Sequence, residues 1–463
     1  MPNPLNLNRV EMPRQLAEER AHNFDEVALG YTLEQMREEA SRCLSCVKKN
    51  CTRGCPVGID ITSFITALCA NDLPRALAVI KEKNALPGIC GRVCPQETQC
   101  ESQCLLEKKG APVAIGRLER YVADWARKHP QTTGERSATT GKRVAVVGSG
   151  PAGLTCAATL AQAGHQVTLL EALHVAGGVL MYGIPEFRLP KDIVQEEVKY
   201  VCSLGVKLEL NSVVGKIDTV DELLQNGYNA VFLGTGAGLP TMLGVPGENL
   251  SGVYSANEYL TRVNLMKAYR FPEYDTPVRR GQQVAVIGGG NVAMDAARCA
   301  LRLGAQKVSI VYRRSDTEMP ARREEIENAR EEGVQFVMLS GVKGFAGDER
   351  GWLVAMDCFE MELGEPDASG RRRPIPKVDS DFRLSVDVAV VALGTSPNPL
   401  IAQTTSGLET TSHGTLIADE ATGRTNKKGV WAGGDVVTGS ATVISAMGAA
   451  RRAADDIDQY LRA

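Results

Sequence analysis

The stretch Lys142–Glu171 reads KRVAVVGSGPAGLTCAATLAQAGHQVTLLE, and the rest of the chain is organised around it. An apolar β-branched run, Val144 to Val147, leads into Gly148, Gly150 and Gly153 in a G-x-G-x-x-G spacing. A helix-favouring run follows from Leu154 to Ala163, then a second apolar run, Val167 to Leu170, ending on Glu171. The order is strand, tight turn, helix, strand, acid. Glycines in the turn let the backbone approach a pyrophosphate, and the helix N-terminus supplies N–H donors to it. Glu171 stands where a carboxylate accepts from a ribose hydroxyl. A glycine turn alone also serves plain packing; the two flanking strands and the acid in register favour the dinucleotide reading.

The 463 residues are too many for one core, so two or three domains are expected. A net charge of −3 carries no polyanion-binding signature, and nucleic acid is not implicated. No apolar run is long enough to span a bilayer. Met1 to Arg20 is polar and carries both charges, unlike a signal or transit peptide, so a reducing, cytoplasmic setting is expected. In such a compartment, clustered cysteines act as metal ligands more often than as disulfides.

Upstream of the turn, 33–42, 63–70 and 73–83 read as helical. Two cysteine blocks lie among them. The first is Cys43-x2-Cys46-x4-Cys51-x3-Cys55-Pro56; the second is Cys90-x3-Cys94-Pro95-x5-Cys100-x3-Cys104. Zinc sites usually present paired knuckles with a long spacer. Here a run of close cysteines meets Cys-Pro twice, the ferredoxin pattern in which the Cys before proline crosses to the other cluster. Two [4Fe–4S] clusters are therefore favoured over zinc. Crossing assigns Cys43, Cys46 and Cys51 to one cluster with Cys104, and Cys55 to the other with Cys94 and Cys100. The second cluster then lacks a ligand, and Cys90 is a candidate by residue type. Cys69 reads as a small core residue within a helix.

Residues 126–141 read as a linker. Beyond Glu171, the glycine-rich loop Gly177 to Pro185 suits either passage over a flavin ring or a packing turn. Flavoprotein disulfide reductases need a close cysteine pair near the flavin. Cys156, Cys202, Cys299 and Cys358 are isolated and read as buried small residues, so electrons must leave by another route, for which the clusters serve. Asn229–Gly236 and Asp387–Thr395 are two like-shaped strand-and-turn segments that bracket an insertion. Within it, Val284 to Ile287 leads to Gly288 and Gly290, with Ala293 replacing the third glycine. Its second strand, Val308 to Tyr312, ends in Arg313-Arg314 where an acid would sit for NAD. Two guanidinium groups there suit a 2′-phosphate, favouring NADP(H). Arg322 and Arg323 open what reads as a charged surface helix, and 364–383 as a surface hairpin or loop. Near the end, Trp431-Ala432-Gly433-Gly434-Asp435 precedes a helix from Thr442, whose N-terminus would face a flavin.

The cysteine blocks, GSGPAG, GGGNVAMDAA with YRRS, and WAGGDVVTGS together resemble the glutamate synthase small-subunit (beta chain) family over nearly the whole length. The N-terminal half of dihydropyrimidine dehydrogenase is built similarly. NFDEVALGYT, CGRVCPQETQC and PVAIGRLERYVAD look closest to the large subunit of NADH-dependent reduced ferredoxin:NADP oxidoreductase and its sulfide-dehydrogenase-like relatives. The resemblance implies an α/β protein with two Rossmann-like folds behind a helical iron–sulfur domain. Residues 1–140 would hold two [4Fe–4S] clusters, 141–270 and 387–463 would form the FAD fold, and 271–386 the inserted NADPH fold. Around FAD it implies Gly148, Gly150, Pro151, Ala152, Gly153, Glu171, Gly178, Gly434, Asp435 and Thr442. Around NADPH it implies Gly288, Gly290, Asn291, Val292, Ala293, Arg313 and Arg314. Some members complete the second cluster with a Gln or Glu beyond the last cysteine, and Glu119 occupies that place.

The expected activity is hydride transfer between NADPH and FAD, then single-electron transfer through the clusters to a partner, with no catalytic acid, base or nucleophile required. Pro2 after Met1 leaves no N-terminal cysteine for a glutaminase, and no length remains for a synthase barrel, so the partner supplies the acceptor chemistry. That partner is expected to be a glutamate synthase large subunit, a flavin–iron–sulfur reductase subunit forming an electron-bifurcating transhydrogenase, or ferredoxin. The alternatives are a stand-alone NADPH-dependent reductase of a pyrimidine, sulfide or polysulfide, and a zinc-stabilised structural module.

Overall fold

The computed structural model describes residues 6–129, 137–367 and 370–463. The linker expected over 126–141 lies partly outside them. No helix among the described residues is long and apolar enough to cross a membrane.

Short helices build the N-terminal unit. Thr32 caps Leu33–Ser41 in a reciprocal box with Gln35, Asp60 caps Ile61–Cys69, and Asp72 caps Leu73–Lys81. In each case the side chain accepts from the backbone N–H three residues on, satisfying a donor the helix cannot. Most of the paired cysteines sit in the turns around these helices. Cys43 and Cys46 follow Leu33–Ser41, Cys94 caps the end of Pro87–Val93, and Cys100 and Cys104 flank the short turn Glu101–Gln103. Cys69 departs from the expected core position. The helix stops at Cys69, Asn71 takes a left-handed conformation (φ 58°), and the thiol is exposed.

The chain then forms two parallel sheets. In the first, the strand order is Val430–Ala432, Ala230–Leu233, Arg143–Val147, Gln166–Leu170, Lys207–Glu209. Val144, Ala145 and Val146 are fully buried, as a strand covered by helices on both faces requires. The order reverses at Arg143–Val147, so the crevice at its carboxyl end is the place where such sheets bind ligands. In the second sheet the order is Val253–Ser255, Val388–Val391, Gln283–Ile287, Lys307–Tyr312, Gln335–Met338, again parallel. The two sheets share one layout, except that the outermost strand of the second comes first in the chain.

This corrects the expected boundaries. Val388–Val391 was assigned with the returning FAD segment, yet it pairs with Gln283–Ile287 in the second sheet. Val253–Ser255, assigned to the first FAD segment, is that sheet's edge. A four-residue apolar strand carries no local signal of which neighbour it joins, because long-range packing decides that. Only Val430–Ala432 returns to the first sheet.

A third, antiparallel sheet joins Ser340–Gly347, Leu353–Pro366 and Arg372–Ser385. Its last two strands are the hairpin expected over 364–383, in a longer form. The helix Arg323–Glu331 is less of a surface element than its charge suggests, since Glu325, Asn328 and Ala329 are buried. The Glu325 charge is matched inside the protein: Arg298 donates to it, and Arg188 lies 3.2 Å away.

One continuous core joins Met36, Phe64, Ile89 and Leu118 of the helical unit to Val146, Leu154, Met181 and Met447 of the first nucleotide fold. A second core, around Val286, Met294 and Ile310, takes in Val27 and Phe187 from outside the second sheet. The cysteine-bearing unit is thus fused to the first fold and packed against the second.

Candidate functional site

The three glycines of the first turn have separate tasks. Gly148 has φ +94°, and a Cβ there would lie 2.6 Å from Gly234 O. A Cβ at Gly153 would lie 1.7 Å from Gly148 O, so helix and strand pack only with glycine. A Cβ at Gly150 would meet nothing within 4 Å, which leaves open space in front of the helix that Pro151 starts and Ala152 continues. Glu171 is buried beside the turn, accepting from Ser149 N (2.9 Å), Ser149 Oγ and Leu173 N (2.8 Å). The loop at Gly177 and Gly178 folds onto this turn. Gly178 has φ +53°, and its Cβ would touch Gly150 Cα at 2.9 Å.

Across the crevice, Gly434 (φ +80°) approaches Ala152, and half-buried Asp435 follows. Burial pushes the Asp435 carboxyl up to about 6, against a hydrogen bond from Ala441 N. Thr442 caps Val443–Arg462 by accepting from Ser445 N. These residues, from five separate stretches, converge on one crevice, and its open glycine face and acids fit a flavin dinucleotide.

Two residues in this region were missed by sequence reasoning. Burial pushes the Tyr182 hydroxyl up to about 12, with the charges of Asp435 and Glu171 adding to it. Lys191 donates to the carbonyls of Leu180 (3.0 Å), Ile184 and Leu189 (2.9 Å), pinning the Gly177–Pro185 loop from beneath. Burial lowers this lysine to about 8 despite Glu186 nearby. A lysine after proline at a helix start gives no signal of that role.

The second turn repeats the first. Gly288 has φ +144° with its Cβ 2.3 Å from Ala392 O, while Gly290 faces open space except for Pro320 at 4.0 Å. Ala293 is fully buried and Val292 exposed. Asn291 Oδ1 accepts from Arg322 N at 2.9 Å, so this side chain braces the segment that follows the second strand. The two arginines at the strand end are not equivalent. Arg313 is exposed, whereas Arg314 is buried, with Nη2 2.6 Å from Asp367 Oδ2 and Nε 2.8 Å from Arg372 O. Arg322 is turned away to Gln96 Oε1 (3.1 Å), Glu97 and Arg92 O, tying the nucleotide fold to the helical unit.

The cysteines separate into two groups. Cys43, Cys46, Cys51 and Cys104 line one cavity of about 350 Å³ together with Ile61, Ile65 and Val113. Burial pushes the Cys43 thiol up and the Cys51 thiol up to about 11. Leu44 and Val47 are exposed, Val47 almost completely (97%), at the mouth of this cavity. The second group is deeper. Cys55, Cys94, Cys100 and Glu119 act on one another electrostatically. Burial pushes Glu119 up to about 8, against a 2.7 Å hydrogen bond from Asn84, and no cation is among the groups that act on it. Cys90 touches this group through Cys94, but its Sγ also lies 3.5 Å from Met447 Sδ and 3.7 Å from Asn84 Oδ1. Among the described residues, no three His, Cys, Asp or Glu side chains converge as they do on a single ion. Cysteines ringing a cavity fit a polynuclear cluster, which spreads its thiolates, better than one zinc ion. Cys156, Cys299 and Cys358 are buried as expected, and Cys202 is half-buried.

Residues 20–131 match the family described as dihydropyrimidine dehydrogenase domain II, 4Fe-4S cluster, and residues 142–452 match pyridine nucleotide-disulphide oxidoreductase. The chain is 35% identical over 466 residues to the glutamate synthase [NADPH] small chain of Escherichia coli, covering 99% of this chain and 98% of that one. It is 40% identical over 436 residues to the NADP(+)-dependent formate dehydrogenase subunit beta of Moorella thermoacetica, covering 89% of this chain; it spans 60% of that subunit's length. Mycobacterium tuberculosis FprA in complex with NADPH shares the fold, with a TM-score of 0.59 at 22% identity over 70% of this chain and 85% of that one. With the cysteine unit and both nucleotide folds matched from end to end, the chain belongs to the glutamate synthase small-chain family of FAD and iron–sulfur NADPH oxidoreductases.

Proposed function

We propose that this chain is the NADPH-side electron-transfer unit of a larger redox enzyme, taking reducing equivalents from NADPH and delivering single electrons to a partner subunit or ferredoxin. The observation that carries the reading is a contact. The Cys55-Pro56 turn packs directly on the helix that begins at the flavin crevice, so closely that a Cβ at Gly448 would lie 2.7 Å from Pro56 O. The deeper cysteine group therefore adjoins the flavin site, and the cavity of Cys43, Cys46, Cys51 and Cys104 opens at the surface beyond it.

When bound, FAD and two [4Fe–4S] clusters supply the conversion between two-electron and one-electron chemistry. The residues of the chain bind and orient. Backbone N–H groups at Gly150, Ala152 and Gly153 would hold the FAD pyrophosphate, Glu171 a ribose hydroxyl, and Asp435 a hydroxyl at the flavin end. Thr442 fixes the helix N-terminus that stabilises negative charge there. Lys191 holds the covering loop in place. Gly288 to Ala293 do the same for NADPH, with Arg313 toward the 2′-phosphate. Cys43, Cys46, Cys51 and Cys104 hold one cluster; Cys55, Cys94, Cys100 and Glu119 hold the other. Glu119 is preferred to Cys90 because Cys90 Sγ is already engaged with Asn84 Oδ1 (3.7 Å) and Met447 Sδ (3.5 Å).

The test is anaerobic purification, iron and flavin analysis, and titration with NADPH and separately NADH. About eight irons and one flavin per chain, with NADPH the far better reductant, are expected. Flavin without iron would overturn the cluster assignment, and equal reduction by NADH would overturn the nucleotide assignment. A Glu119→Ala protein with full iron content and an unchanged spectrum would return the last ligand position to Cys90.

A further inference from the structure

The sequence offers Arg313 and Arg314 as a pair for the 2′-phosphate, but the fold uses them differently. Arg314 is 5% exposed, and its guanidinium is committed to the hairpin from the third sheet: Nη2 to Asp367 Oδ2 at 2.6 Å, Nε to Arg372 O at 2.8 Å. The hairpin answers with Arg372. Its Nε donates to Glu318 Oε1 at 2.6 Å, and its Nη2 lies 3.4 Å from both Ser315 Oγ and Thr317 Oγ1. Ser315 and Thr317 belong to the turn just after the second strand, where a dinucleotide fold meets its adenosine ribose. Glu318 is held charged, its carboxyl pulled down to about 2 by Arg372 and Ser315, and so anchors Arg372 by one edge. The Arg372 side chain nevertheless remains 48% exposed.

We infer that Arg372 is a nucleotide-selecting residue, delivered to the 2′-phosphate of NADPH from a separate sheet, and that Arg314 is the pin holding the hairpin there. The inference rests on the NADPH reading above. The 2′-phosphate then meets Arg313 from the strand end and Arg372 from the hairpin. A forked guanidinium held by a carboxylate on one edge presents two N–H donors on the other, a geometry matched to phosphate oxygens. The hairpin strands around it, Leu353–Pro366 and Arg372–Ser385, are each fourteen residues long, enough to reach from the third sheet to the end of the second.

The experiment is titration calorimetry of the purified holoprotein with 2′,5′-ADP and with 5′-AMP, which differ only in the 2′-phosphate. Wild type is expected to bind 2′,5′-ADP the more tightly. Arg372→Ala is expected to weaken 2′,5′-ADP by ~10- to 100-fold, the range for a lost charge-assisted hydrogen bond, while leaving 5′-AMP within about twofold. Arg372→Lys is expected to recover part of the loss. An Arg372→Ala protein that keeps its preference, or that loses both ligands equally, overturns the inference while leaving the NADPH reading intact. A wild type that binds both ligands equally overturns that reading and the inference with it. Asp367→Asn addresses the pin: a gain of tenfold or more in 2′,5′-ADP affinity would make Arg314 a latent phosphate ligand and refute its assignment.

Discussion

Replacing Glu332 with glutamine leaves three buried guanidinium groups around a neutral amide. In the native protein, Glu332 accepts from Arg20 Nε (2.9 Å), Arg298 Nε and Nη2 (2.9 and 2.8 Å), and Arg302 Nη1 and Nη2 (2.7 and 3.1 Å). The side chains of Glu332, Arg298 and Arg302 are fully buried and that of Arg20 nearly so. Burial works to raise the Glu332 carboxyl, but the hydrogen bonds and charges of Arg298 and Arg302 outweigh it and bring the carboxyl down to about 2. Against an ordinary glutamate near 4.3, that gap is worth about 3 kcal/mol. Removing one partner of a buried ion pair gives a similar figure by an independent route, about 3–5 kcal/mol. The sign follows from the lowered value: the contribution is present in full above the ordinary glutamate range and is lost as pH falls toward 2.

Urea unfolding of the full chain should therefore show Glu332→Gln less stable by about 3 kcal/mol at pH 7, with the gap to wild type narrowing steadily below pH 4.5. A difference under about 1 kcal/mol at pH 7, or one that does not shrink in acid, would refute the reasoning. The loss should also reach the second core, to which Phe187 and Val27 belong. Arg298 and Arg302 stack on the ring of Phe187 at 4.6 and 3.9 Å, and Phe187 O accepts from Val27 N.

Two further expectations concern the flavin site and its link to the clusters. Asp435, at about 6, is charged at pH 7 and mostly neutral at pH 5; if the carboxylate accepts from FAD, apoprotein should bind FAD about tenfold more weakly at pH 5 than at pH 7. Fluorescence titration of Asp435→Asn should show that dependence abolished; a variant that retains it would remove Asp435 from the site. Gly448→Ala forces a Cβ to within 2.7 Å of Pro56 O, so the Cys55-Pro56 turn must retreat from the flavin helix. A loss of about 1–3 kcal/mol is expected from such overpacking, with a lower iron-to-flavin ratio; an unchanged ratio and unfolding midpoint would show that the two elements do not press together.

Much of the site was legible because its chemistry is local. The two glycine turns need only a few adjacent residues, since positive φ and close backbone approach are properties of the turn itself, and Gly148, Gly153 and Gly288 sit where no side chain fits. The expectation that Cys104 crosses to the first block came from the repeated Cys-Pro spacing, and Cys104 does line one cavity with Cys43, Cys46 and Cys51. The capped helices at Thr32, Asp60 and Asp72 were likewise written in three-residue windows.

What the tertiary structure decided was pairing across distance. Val388–Val391 has the same local appearance as Ala230–Leu233, yet joins the other sheet, because only packed neighbours distinguish two short apolar strands. Arg313 and Arg314 are adjacent and identical in type; one is exposed and the other buried because a hairpin more than fifty residues later brings Asp367 to it. Lys191 and Glu332 look like ordinary surface charges in sequence, but three carbonyls meet the first and three arginines the second. By itself the sequence determined where the tight glycine turns lie, since positive φ and close backbone approach depend on local conformation. The fold alone determined which charges are left free to meet a ligand, since a charge is free only when no distant segment has already neutralised it.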